Sequence, residues 1–168
     1  MSEQTERVVY EESVRTINGQ RDLLDGLRTR AGTLLAAASL ATAFLSAPAL
    51  SRHQIVEIVH GQVLAHARLT PLSWVAIGLF CGVVGLTLVI LIPWRWTFAH
   101  DPHKLIAVHL DPGPPSDLEE LYRNLSYWNG AHFNQNGWKL EAMFGLFALA
   151  CASLAAEMVI WLLILGGA

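Results

Sequence analysis

Three runs of about 20 mostly apolar residues, free of charge but for one glutamate, predict an all-α integral membrane protein with three transmembrane helices packed as a helical bundle. Two further observations support that class. Hydrophobic residues make up 53% of the 168-residue chain against 15% charged, with a positive mean hydropathy. Lys and Arg also segregate to alternate connections, which the net charge of -3 conceals. The length suits one domain and is short for two, so residues 1–168 read as a single membrane domain.

Residues 1–30 carry both signs of charge, and Tyr10, Val14, Ile17, Leu24 and Leu27 recur near a 3.5-residue spacing. That pattern predicts a cytosolic helix with one apolar seam, running straight into the first span. Gly19 and Gly26 each weaken such a helix by about 1 kcal/mol relative to alanine, so packing must supply the stability. No pattern of a secretory signal peptide is expected here, because these residues hold no apolar core before a cleavage site.

The first span, residues 31–50, is rich in Ala, Ser and Thr and only modestly hydrophobic, which favours neighbouring helices over lipid. An outer loop follows at 51–68, where Ile55, Val59 and Val63 could form the stripe of a short surface helix. His53 and His60 there read as exposed histidines. The second span, 69–94, contains Gly78, Gly82 and Gly85, spaced so that two backbones can approach closely, and it closes on Pro93.

The cytosolic linker, 95–115, holds His100, Asp101, His103 and His109. His100, Asp101 and His103 offer metal-ligating chemistry without a recognised ligand spacing, so no metal site and no cofactor is expected. Leu105-Ile106-Ala107-Val108 reads as a packing segment rather than a strand, and Asp111 to Pro115 breaks the chain.

At 116–142 a second cytosolic amphipathic helix starts on the capping pattern Ser116-Asp117-Leu118-Glu119. Leu118, Leu121, Tyr122, Leu125 and Trp128 form its apolar face, and it extends the third span, 143–165. The pairs Asn129-Gly130 and Asn136-Gly137 are places where this rod could kink. Ala148, Ala152 and Ala156 repeat the small-residue stripe. Glu157 is the one ionisable group in the spans, with Ser153 a turn below it and Thr42 of the first span at similar depth. These are the candidate intramembrane polar residues. Glu157 reads as a protonated group bonded to a neighbouring helix, as part of a pore-lining ring, or as an end residue snorkelling to the outer interface.

Five Lys and Arg precede the first span and four lie between spans two and three, against two in the outer loop and none at the C-terminus. The N-terminus is therefore expected inside and the C-terminus outside a cell inner (plasma) membrane. Trp94 and Trp96 at the inner edge, with Trp74 and Trp161 toward the outer one, suit an interfacial belt. Cys81 and Cys151 fall in apolar stretches and suggest packing, not a disulfide or zinc site.

No phosphate-binding loop, metalloprotease pair or nucleophile elbow is present, so no enzyme is expected. No basic-aromatic stripe points to nucleic acid. The bilayer and other copies of the chain are the expected partners. That leaves an oligomeric pore-forming or membrane-perturbing protein, a structural or accessory subunit of a larger complex, or a small ion or proton channel.

The order of parts resembles the small membrane effector modules of bacterial nucleotide-signalling defence, the SLATT superfamily and the Pycsar-type transmembrane effectors. The resemblance lies in the stretch DLLDGLRTRAGTLLAAASLATAFL, the short outer loop, the span closing on Pro93, the Pro-rich break, and the helix with Arg123-Asn124-Leu125 and Lys139 before a last apolar segment. It covers most of the chain at the level of architecture. It implies an antiviral effector that oligomerises and breaches or depolarises the inner membrane when a cytosolic protein or nucleotide signal arrives. This chain departs from the two-span description by its third span, and no nucleotide-binding domain is recognised.

Overall fold

A computed structural model describes residues 3–51, 54–59, 62–67, 69–98 and 117–167. Three helices carry the fold: α1 (Glu3–Ser51), α2 (Pro71–Leu91) and α3 (Leu118–Gly166). All three are long and apolar enough to cross a membrane. Between α1 and α2 lies one antiparallel hairpin, β1 (Gln54–Val59) and β2 (Gln62–Ala67), paired from Gln54↔Ala67 to Val59↔Gln62. The outer surface helix expected for this loop is thus replaced by two strands, and among the described residues the other elements are all helices. QIVEIV is dense in β-branched residues, which favour an extended backbone over a helix.

Local chemistry sets the helix ends. Thr70 caps α2 by accepting from the Ser73 amide at 3.2 Å, and Pro71 occupies the first turn, where a missing N–H costs nothing. At about 31 Å, the 21 residues of α2 match a hydrocarbon core. Glu119 and Glu120 complement the dipole at the start of α3. Its far end stops at Gly167, whose φ of 90° suits glycine and brings its amide to Ile164 O at 3.3 Å. α3 is one helix of 49 residues and runs unbroken through Asn129-Gly130 and Asn136-Gly137.

Burial along both long helices follows a seven-residue repeat. On α3, Asn129, Asn136, Met143, Ala150, Glu157 and Ile164 are all buried; on α1, Ile17, Leu24, Ala31 and Ala38 are. A repeat of 3.5 residues per turn keeps one seam inward and imposes a left-handed supercoil on the helices that share it.

The chain divides into two compact units. The first comprises Met1–Leu27 and Pro93–Met143. Within it α1 and α3 run parallel, because partner numbers rise together: Glu6 pairs with Arg123 at 3.3 Å, Asn129 Nδ2 donates to Ser13 Oγ at 2.8 Å, and Gln20 Nε2 donates to Phe133 O at 3.1 Å. Glu6, Ser13 and Gln20 stand seven residues apart, so α1 offers one polar side chain per heptad. Polar groups in an apolar seam fix register at some cost in stability. Leu24 and Leu125 of the expected seam are buried, while Tyr10 meets Tyr122 with ring centres 5.5 Å apart. The stretch after α2 is held to α3 by Asn136 Nδ2 donating to Thr97 O and Lys139 Nζ to Arg95 O, each at 2.9 Å.

The second unit comprises Arg28–Ile92 and Phe144–Ala168. Its core joins all three helices through Ala49, Ala76, Trp161 and Ile164, with Leu45, Ile77, Ile160 and Leu165 packed around them. α2 turns Ser73, Ala76, Val83, Thr87 and Ile90 inward. Thr87 is tolerated there because its hydroxyl donates back to Val83 O at 2.7 Å.

Candidate intramembrane polar site

Glu157 of α3 is 1% exposed and sits in the second unit between its own helix and α1. The heptad repeat places it there: it is the fifth buried position counted by sevens from Asn129. Two groups converge on Oε1. Thr42 Oγ1 lies 2.5 Å away and Trp161 Nε1 donates at 3.2 Å from one turn further along α3. Oε2 has no partner. Thr42 Oγ1 also lies 2.8 Å from Ala38 O. A hydroxyl carries one hydrogen, so Thr42 shares it between the Glu157 carboxyl and Ala38 O.

The arrangement is a clasp between two helices. Inserting an acid into a span costs up to about 3 kcal/mol, and burial against hydrogen-bonding neighbours offsets part of that. Thr42 of α1 stands level with Glu157. Ser153, a turn below, is half-buried and is not among the groups that bond Glu157. In the single chain Glu157 faces its own α1 instead of an outer surface. Sequence reasoning misses Trp161 by placing it in the interfacial belt; its 1% exposure and its bond to Glu157 make it core. The spacing of four residues from Glu157 is the signal that could have found it.

The small-residue stripes lie elsewhere. Gly78, Gly82 and Gly85 are exposed, and a Cβ built on any of them meets nothing within 4 Å. Ala148, Ala152 and Ala156 are exposed as well. Among the described residues, these positions therefore lie open instead of at a helix contact. His100, Asp101 and His103, like His53, His60 and Ser116, lie outside the described residues.

Fold and site together define a class, a helical-bundle protein with three helices able to span a membrane and a buried acid between two of them. The chain matches no family model, no curated protein and no solved structure.

Proposed function

We propose that the chain is an oligomeric integral membrane protein that forms a pore or perturbs the inner membrane, used as a defence effector in the manner its architecture suggests. One observation carries this reading: amid the exposed apolar surface of the spans, the single chain leaves the small-residue stripes of α2 and α3 uncovered. α1 is the least hydropathic of the three spans and exposes Ala36, Ser39 and Ala43 beside Leu40 and Phe44, while the glycines of α2 lie opposite its buried residues. Lipid chains gain little from such faces, whereas another helix gains close backbone contact. Copies of the same chain are the simplest source of that helix.

Purified in mild detergent, the protein is expected as a closed homo-oligomer by light scattering, and its expression is expected to collapse the membrane potential. A monomer that is inert in cells would overturn the proposal and leave the accessory-subunit reading. The proposed topology puts residues 1–30 and 95–142 in the cytosol and residues 51–68 and Ala168 outside. In a background lacking Cys81 and Cys151, single cysteines at Gln62 and Ala168 should react with an impermeant thiol reagent on intact cells. Labelling of a cysteine at Ser2 in those cells would refute this threading.

A further inference from the structure

In the first unit, one side of the α1–α3 pair carries two cavities in a row. The first, about 350 Å³, is lined by Glu6, Val9, Arg123, Ser126 and Tyr127. Ser13, Thr16, Asn129, Gly130, Phe133 and Asn134 line the second, about 220 Å³. Apart from Asn129, each residue of the second set lies seven positions after one of the first, so the two cavities are one feature of a groove repeated by the heptad. Holes at that interval take side chains spaced by seven on another helix.

We infer that this groove is the contact between neighbouring copies of the chain, and that it receives α1 of the next copy, with Val8 in the first cavity and Arg15 in the second. The inference rests on the proposed membrane assembly. Copies related by an axis normal to the bilayer sit at one depth, so residues meet neighbours at their own height along the helix. Val8 and Arg15 are seven apart, level with the α1 residues that line the two cavities, and outward-facing: Val8 is 58% exposed and the Arg15 side chain 83%.

Their chemistry matches the cavities. Val9 and Tyr127 present exposed apolar surface in the first. In the second, Ser13, Thr16, Asn129 and Asn134 supply oxygen acceptors and no cation, and Glu12 lies one turn before Thr16 with its carboxylate exposed. A guanidinium suits that lining. Among the described residues Arg15 makes a 3.8 Å contact with Glu12 between two exposed side chains, a weak tie that lets it turn to a neighbour.

The test uses the full chain with Cys81 and Cys151 replaced by alanine. Copies carrying Val8→Cys with one affinity tag are co-expressed with copies carrying Tyr127→Cys and another tag, then oxidised. A disulfide-linked dimer bearing both tags is expected. Thr16→Trp, which fills the second cavity at an exposed position, is expected to shift the detergent-solubilised mass toward the monomer. Parent protein that is oligomeric, yet gives no doubly tagged dimer and keeps its mass with Thr16→Trp, would overturn this interface and leave the assembly standing. A monomeric parent would overturn both.

Discussion

Leu24→Asp is expected to abolish the folded first unit, and Leu125→Asp to do the same to a smaller degree. Leu24 is 1% exposed and Leu125 7%, both in the seam between α1 and α3. Removing a buried leucine side chain costs about 2–5 kcal/mol, and an unpaired carboxylate in its place adds a desolvation penalty, so at least ~4 kcal/mol is lost at Leu24. That is a large share of the roughly 5–15 kcal/mol that holds an ordinary domain together. The measurement is circular dichroism and size-exclusion elution of each variant in detergent. Parent-like elution of both would show that these faces are not buried in the protein. Leu23→Asp, one residue away but 54% exposed, serves as the control and should leave folding intact.

Substitution at Glu157 separates shape from charge. Glu157→Gln keeps the length and the hydrogen-bonding capacity of a protonated carboxyl, so folding, assembly and activity in cells are expected to survive. Glu157→Leu leaves Trp161 Nε1 buried without an acceptor, at a cost of about 1–2 kcal/mol. Thr42 still has Ala38 O as its acceptor, so the loss falls on Trp161. Trp161→Phe, which removes the N–H but keeps a ring in the core of Ala49, Ala76 and Ile164, should reproduce part of the effect. Thermal unfolding followed by retention of oligomer reads all three. If Glu157→Leu melts with the parent, the clasp contributes nothing. If Glu157→Gln assembles but no longer depolarises cells, Glu157 acts through its charge and the clasp is not its whole role.

The seam of α1 is legible in the order of residues, since Ile17, Leu24 and Leu27 stand at helical spacing and all are buried. The hairpin is not. Ile55, Val59 and Val63 fit a helical stripe as well as they fit strands, and six-residue segments leave too few turns for periodicity to decide. Asn129 and Asn136 mislead in the other direction. Their low helix propensity argues for a break, but both are buried and bonded, to Ser13 and to Thr97, and those tertiary bonds outweigh a preference worth tenths of a kcal/mol.

The set of helices follows from the sequence alone, because length, apolarity and absence of charge are properties of a segment and need no neighbour. So do the presence and depth of Glu157, which come from counting along a helix. Which way each face points is decided by packing. Glu157 is enclosed by Thr42 and Trp161, residues 115 positions before it and one turn after it, while Gly78, Gly82 and Gly85 are left uncovered. A small-residue stripe and a buried acid can each turn inward or outward at equal cost to their own helix. The choice belongs to the partner surfaces, and these are assembled from segments far apart in the chain.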